Sequence, residues 1–340
     1  MKPTPRQLCL LIAAALSIVS LYFYRTTELG RGDARPAALE VMNPTGELAG
    51  PEGIQFDARG SLYAGTSQGL VWMLEPGGTP HIYAQLDQVQ SIDGVQASTG
   101  SILAGGMAFD PAGNLYVAAF GLAGGSILRV EAGTRQIRFF AHGIGVANSL
   151  VISSDGRRLW VSDYRRQGRL LRFAVGAALP TQPDLVVNGL SYPNGLALGK
   201  DDRWLYASET YSGNVARIDL ATEKPAVERV ANLKGRMAIG SLGGLAFDPR
   251  DPNRRFLYVA ENLRGLFTVL DMQAQPVRVL KRISAAQMGG RPCPASLVIR
   301  DGYLYFTDIW SCNPFRIAIG FPNYHQFVFR FKITDLAMIY

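Results

Sequence analysis

Along the chain, one pattern of apolar and polar positions returns six times: a short apolar strand, a polar turn rich in Asp and Gly, and a second strand rich in β-formers. The stretch from Glu52 (EGIQFDARGSLYA) is followed by Gly106 onward (GMAFDPAGNLYV) and Asn148 onward (NSLVISSDGRRLWV). Further copies start at Asn194 (NGLALGKDDRWLYA), at Gly244 (GLAFDP, closing on FLYV from Phe256) and at Ser296 (SLVIRDGYLYF). The aromatic after the shared Leu falls at Tyr63, Tyr116, Trp160, Tyr206, Tyr258 and Tyr305, at intervals of 53, 44, 46, 52 and 47 residues. Each copy reads as a β-hairpin. Third strands are predicted at Leu70–Leu74, Ser126–Val130, Arg169–Phe173, Asn214–Asp219 and Leu266–Asp271.

A hairpin cannot bury its own face, and a period of about 40–50 residues with four strands per unit is the size of a propeller blade. The fold class predicted is therefore all-β, a six-bladed β-propeller over residues 37–340. A β-sandwich or two stacked β domains would not explain six equal hairpins. After the sixth hairpin only residues 326–334 and 335–340 remain as strand candidates. A strand near Ala37–Met42 is therefore expected to complete the last blade and lock the ring.

The N-terminus breaks this pattern. Lys2 and Arg6 precede an uncharged run from Leu8 to Tyr24 that Arg25 ends. As a helix it would span about 25 Å, enough for a thin bilayer. Residues 1–25 are read as an uncleaved signal-anchor transmembrane helix with the positive end in the cytoplasm. The rival reading is a cleaved signal peptide, but the bulky Tyr22, Phe23 and Tyr24 make a poor cleavage site. Residues 26–36 read as a polar linker. On either reading the propeller lies outside the cytoplasm, periplasmic or extracellular, on a single-pass anchor.

Composition adds exclusions. The 340 residues carry 34 Lys and Arg against 27 Asp and Glu, a formal charge of +7 too mild and scattered to argue for nucleic acid. Three cysteines exclude a disulfide-built miniprotein. Cys293 and Cys312 flank the sixth hairpin; if Asp301-Gly302 is a two-residue turn they are near neighbours, as a disulfide or as two buried thiols. Residues 309–325 form an apolar, aromatic insertion that packs on the propeller, covers its mouth or docks a membrane partner. The Gly/Ser/Gln-rich loop at 86–105 is a second frame for the mouth.

In a propeller the inner strands all start at one face of the central channel. Here those starts are Glu52, Gly105/Gly106, Asn148, Asn194, Gly243/Gly244 and Ala295/Ser296. Three of them, Glu52, Asn148 and Asn194, bear a carboxylate or amide oxygen, a set that suits a hard cation, Ca²⁺ more than Mg²⁺, or else merely hydrogen-bonds strand ends. Asp163 and Glu209 end the partner strands and are expected opposite Asn148 and Asn194, where a carboxylate would orient each amide; Glu261 and Asp308 hold matching positions. His142 lies six residues before Asn148, whereas His81 and His325 fall in outer segments. No Cys–His pairing, zinc spacing or phosphate loop is present.

The strings Gly50-Pro51-Glu52-Gly53-Ile54, Tyr192-Pro193-Asn194-Gly195-Leu196 and Leu205-Tyr206-Ala207-Ser208-Glu209-Thr210 resemble the strictosidine-synthase-like and gluconolactonase superfamily, to which paraoxonases are related. The resemblance runs over roughly residues 48–310, and an N-terminal anchor is also seen in a membrane-associated branch. It implies a six-bladed propeller with a divalent cation, often Ca²⁺, in its channel, and lactonase or arylesterase activity. Glu52, Asn148 and Asn194 match the metal ligands. Relatives place an acidic ligand where this chain has Gly243-Gly244, and paraoxonases carry a His at Gly106. With a single carboxylate the expected Ca²⁺ site is weak. The alternative is a non-catalytic propeller, a binding or scaffold subunit of a membrane-associated complex.

Overall fold

The Asp of the repeated turn explains how the first two units close as hairpins. Asp57 accepts the Ser61 N–H through Oδ1 at 2.9 Å and the Tyr63 hydroxyl through Oδ2 at 3.2 Å. Asp110 repeats this with Asn114 N–H at 2.8 Å and the Tyr116 hydroxyl at 3.3 Å. One carboxylate thus satisfies the turn and tethers the conserved-looking aromatic of the second strand.

The computed structural model describes residues 33, 38–43, 45–75, 78–89, 102–121, 124–235, 240–285, 292–308 and 327–333. Its strands begin with β1 (Glu40–Val41). Blade one is β2 (Pro51–Phe56), β3 (Leu62–Thr66), β4 (Leu70–Leu74) and β5 (His81–Gln85). Blade two is β6 (Leu103–Phe109), β7 (Leu115–Phe120), β8 (Ser126–Val130) and β9 (Ile137–His142). Blade three is β10 (Ala147–Ile152), β11 (Arg158–Asp163), β12 (Gly168–Ala174) and β13 (Asp184–Leu190). Blade four is β14 (Pro193–Leu198), β15 (Trp204–Glu209), β16 (Asn214–Asp219) and β17 (Glu228–Asn232). Blade five is β18 (Leu242–Phe247), β19 (Phe256–Glu261), β20 (Leu266–Asp271) and β21 (Arg278–Ser284). Blade six combines β22 (Pro294–Arg300), β23 (Tyr303–Asp308) and β24 (Val328–Lys332) with β1 as its outer strand.

Each sheet is antiparallel and four-stranded, and the inner strands β2, β6, β10, β14, β18 and β22 neighbour one another around a closed ring. The expected N-terminal strand is present: Glu40 pairs with Arg330 and Val41 with Phe329. Asn43 Oδ1 accepts the Val328 N–H at 2.8 Å, and Arg330 binds Glu40 at 2.6 Å. The ring is therefore closed by chain segments nearly 290 residues apart.

The core lies between blades rather than within them. Tyr63 and Val71 of blade one pack with Met107, Leu115 and Val117 of blade two. Trp160 and Leu170 of blade three pack with Leu196 and Leu205 of blade four. Tyr305 and Val328 of blade six meet Ile54 and Leu62 of blade one. All six repeated aromatics are buried in these seams. Burying such a ring stabilises by about 2–3 kcal/mol, and no hairpin alone has a surface to bury it against.

The Asp301-Gly302 turn is the predicted two-residue one: Arg300 pairs with Tyr303, with φ of 49° and 80° at the two turn residues. Cys293 is disulfide-bonded; the sequence holds two other cysteines, Cys9 and Cys312, both outside the described residues. Residues 1–25, the insertion 309–325 and His325 also lie outside them, as does most of the 86–105 loop. Among the described residues no helix is long and apolar enough to cross a membrane.

Candidate functional site

Every inner strand is interrupted at the same place. The pairing with its partner slips between Pro51 and Ile54, Ala104 and Met107, Ala147 and Leu150, Pro193 and Leu196, Leu242 and Leu245, and Pro294 and Leu297. A β-bulge re-aims the side chains it carries. The residues inside these six bulges include Glu52, Asn148 and Asn194, and all three line a central channel of about 640 Å³. At its far end the channel meets Asp202, Asp251 and Arg254. The sequence placed the three oxygen-bearing residues at one mouth, and the structure brings them to the same channel.

Glu52 has no hydrogen-bond or ion-pair partner among the described residues. Burial alone raises its carboxyl from the usual carboxylate range to about 7. Asn148 likewise spends no side-chain atom on any described residue. Asn194 uses only its nitrogen: Nδ2 donates to Thr210 Oγ1 at 3.2 Å, and Thr210 in turn donates to the Leu242 carbonyl at 2.7 Å. The amide is thereby oriented with Oδ1 left for a ligand.

This corrects the expectation for Asp163 and Glu209. Beyond the bulge the register moves by one residue, so Asp163 faces Ala147 and Glu209 faces Pro193. Both carboxylates are fully buried and held by arginines instead. Asp163 binds Arg165 at 2.6 Å and Arg169 at 2.8 Å. Glu209 accepts from Arg229 at 3.0 Å and Asn214 at 2.8 Å. Burial pushes the Glu209 carboxyl up, but its bonds to Arg229, the Ser191 N–H and Asn214 outweigh this and hold it below its ordinary value. Each carboxylate also receives a backbone N–H of the segment entering the inner strand: Val146 on Asp163 at 3.1 Å and Ser191 on Glu209 at 2.8 Å. Cys293 on Asp308 at 2.8 Å is the same device. These acids latch the strand entries, while Thr210 performs the amide-orienting role. Glu261 binds Thr268 and the buried Arg264. His142 ends β9, an outer strand, with its side chain exposed, and His81 starts another.

A second set escaped the sequence reading. Ser162 accepts the Ser149 N–H at 3.0 Å and donates to the Asn194 carbonyl at 2.7 Å. Ser208 accepts from Gly195 N–H at 2.9 Å and donates to the Gly243 carbonyl at 2.6 Å. Thr307 accepts from Ser296 N–H at 3.1 Å and donates to the Glu52 carbonyl at 2.8 Å. Each hydroxyl ties the bulge of its own blade to that of the next. The signal was a Ser or Thr two residues after the repeated aromatic and just before an acid, present in three blades and replaced by Gly65, Ala118 and Ala260 in the others.

Gly243 and Gly244 are empty of ligands for a steric reason. A Cβ on Gly243 would lie 2.4 Å from the Ala295 carbonyl oxygen, and one on Gly244 would lie 2.9 Å from Leu297 N. The neighbouring inner strand occupies the space. Among the described residues no three His, Cys, Asp or Glu side chains converge as a metal site would require. The donor set is one carboxylate and two amide oxygens, which fits a hard cation completed by waters or substrate oxygen and does not fit a thiolate- or imidazole-binding metal.

Architecture and channel define a six-bladed propeller with an oxygen-lined axial site. Residues 33–183 match the family model of the SMP-30/Gluconolactonase/LRE-like region, the likeness its motifs implied. Among solved structures it is similar to a calcium-binding regucalcin from Agrobacterium tumefaciens, with 14% identity, TM-score 0.62, and coverage of 88% of this chain and 94% of that one. A gluconolactonase from Xanthomonas campestris is similar at 15% identity and TM-score 0.59, covering 88% and 91%. A virginiamycin B lyase from Staphylococcus aureus is similar at 13% identity and TM-score 0.54, covering 86% and 99%. At such identities the likeness is one of fold, and these relatives differ in chemistry. No curated protein matches the sequence.

Proposed function

We propose that this protein is a divalent-cation-dependent hydrolase of lactones or aryl esters, held at the membrane through its N-terminal segment with the propeller on the periplasmic or extracellular side. One observation carries the reading: the unpaired Glu52 carboxylate shares a channel with Asn148 and with Asn194, whose amide is held with its oxygen unspent. Glu52, Asn148 and Asn194 would hold the ion, with Ca²⁺ the best match to neutral and anionic oxygen donors. Bound there, the cation supplies Lewis-acid polarisation of a carbonyl oxygen. The chain's own residues hold the donors in place: Thr210 orients Asn194, and the Ser162, Ser208 and Thr307 bridges fix the bulges. The regucalcin and gluconolactonase neighbours support both the ion and the reaction class.

A calcium-dependent assay on a panel of lactones and phenyl acetate, compared with Glu52→Gln, tests this. Turnover that needs Ca²⁺ and falls at least a hundredfold in the variant is expected. Equal inertness of both proteins, with no ion bound, would remove the reading.

A second reading rests on Gly243 and Gly244, where backbone contact leaves no room for an acidic side chain. A propeller without that group would serve as a binding or scaffold subunit of a membrane-associated complex. Its signature is co-purification of the full chain with a stoichiometric membrane partner and no hydrolysis.

A further inference from the structure

Three tyrosines stand in a row on the face where the inner strands begin. Tyr164 follows β11, Tyr192 precedes β14, and Tyr211 lies between β15 and β16. The Tyr164 and Tyr192 rings are 5.2 Å apart and inclined by 57°; Tyr192 and Tyr211 are 5.9 Å apart and inclined by 44°. Successive inclinations make a curved aromatic strip. Its outer member is open, with Tyr211 at 55% exposure, although large exposed apolar side chains are few among the described residues.

One end of the strip touches the channel site through Thr210. The Tyr164 hydroxyl lies beside Thr210 and feels the charge of Glu52. Thr210 is the residue that orients Asn194. Tyr192 shows a second, independent sign of purpose. Its φ is +53°, a left-handed conformation that a bulky side chain adopts at a cost. Two backbone bonds impose it, Tyr192 N–H to the Arg165 carbonyl at 2.9 Å and Thr210 N–H to the Tyr192 carbonyl at 3.0 Å. Strain retained beside a candidate site points to use. Two of the charges flanking the row are already spent, Arg165 on Asp163 and Arg229 on Glu209. The row itself offers π surface and phenol oxygen.

We propose that Tyr164, Tyr192 and Tyr211 form a subsite that stacks an uncharged planar aryl ring of the substrate and sets its ester or lactone group over Glu52, Asn148 and Asn194. The inference rests on the hydrolase reading for its role in turnover, and on the aromatic strip alone for binding. Tilted aromatic contacts of this kind favour a flat ring over an aliphatic one. Tyr164, Tyr192 and Tyr211 are thus specificity determinants rather than catalytic residues.

The test uses the full chain and two readouts. Acetanilide, the amide counterpart of phenyl acetate, is titrated by ligand-observed NMR against wild type and Tyr211→Ala. Kinetics of phenyl acetate and δ-valerolactone are measured in parallel with Ca²⁺ present. We expect acetanilide to bind wild type and to bind Tyr211→Ala at least fivefold more weakly. The ratio of kcat/KM for phenyl acetate to that for δ-valerolactone should fall at least fivefold, mostly through KM. Tyr192→Gly, which relieves the left-handed backbone, should weaken acetanilide binding without lowering Tm. Equal acetanilide binding by wild type and Tyr211→Ala, or none by wild type, overturns the subsite even if lactones are hydrolysed. Tyrosine-dependent acetanilide binding without any turnover keeps the subsite and removes the hydrolase. A Tyr192→Gly protein that loses stability but keeps binding shows the row to be packing only.

Discussion

Glu52 concentrates the chemistry at the scale of single residues. Its carboxyl is raised to about 7 because burial penalises the charge and no cation among the described residues answers it. The folded protein therefore holds this proton between about 4.5 and 7, where the unfolded chain has released it. Stability contributed by this group falls as pH rises through that window and is level above it. Glu52→Gln is expected to remove that decline and to raise Tm at pH 8 by about 2 °C or more, the shift of about 1 kcal/mol in a domain of this size. Metal binding has the opposite sign. The ion needs the carboxylate, so Ca²⁺ affinity by calorimetry should weaken about tenfold for each pH unit below 7. A substitution that stabilises the apo protein while abolishing the ion would mark Glu52 as kept for function.

Gly53 makes a different residue-scale point. A Cβ there would sit 1.8 Å from the Gly105 carbonyl oxygen of the next blade. Gly53→Ala must push two inner strands apart, and a loss of about 3 kcal/mol or more is expected in urea unfolding.

Among elements, the bulged hairpin is the unit that matters. Hydrophobic alternation revealed all six hairpins, and five third strands fell where predicted, Leu70–Leu74 and Leu266–Asp271 among them. The register from Leu198↔Leu205 to Leu196↔Ala207 would also place Asn194 opposite Glu209. The bulge inserted before it moves Glu209 onto Pro193, and no periodicity of two announces an extra residue in advance. Ser208 shows what that shift creates. Its buried hydroxyl serves the Gly195 N–H and the Gly243 carbonyl together. Ser208→Ala leaves both unpaired and should cost about 1–3 kcal/mol by denaturant melt. It should also weaken Ca²⁺ binding, because Asn194 precedes the released N–H. Unchanged affinity would show that the bridge serves the ring alone.

For the whole molecule, closure is the decisive property. Six seams hold the core, and blade six is completed by a two-residue strand carried in from the N-terminus, with Val41 packing in the seam to blade five and the adjoining Met42 in the seam to blade one. Deleting residues 1–43 removes Glu40, Val41 and Asn43, with the Arg330 ion pair and the Val328 bond they make. Blade six then has an open edge. The truncated protein is expected to melt well below wild type and to lose Ca²⁺ binding, since Glu52 follows directly on the lost closure. Deleting residues 1–25 alone should leave Tm and Ca²⁺ affinity as they are.

The number of blades, the strand that closes them and three oxygen-bearing residues of the channel lining were legible in the sequence alone. These follow from local periodicity, since each hairpin is written within about fifteen contiguous residues and repeats. Which groups surround those side chains depends on the folded molecule. The pairing of Asp163 and Glu209 with arginines and the turning of Asn194 by Thr210 are contacts within one blade, set by the register beyond the bulge. The crowding that denies Gly243 a side chain is a contact between blades, with the Ala295 carbonyl of the next inner strand. A bulge of one residue is enough to change the first kind, and only ring closure creates the second.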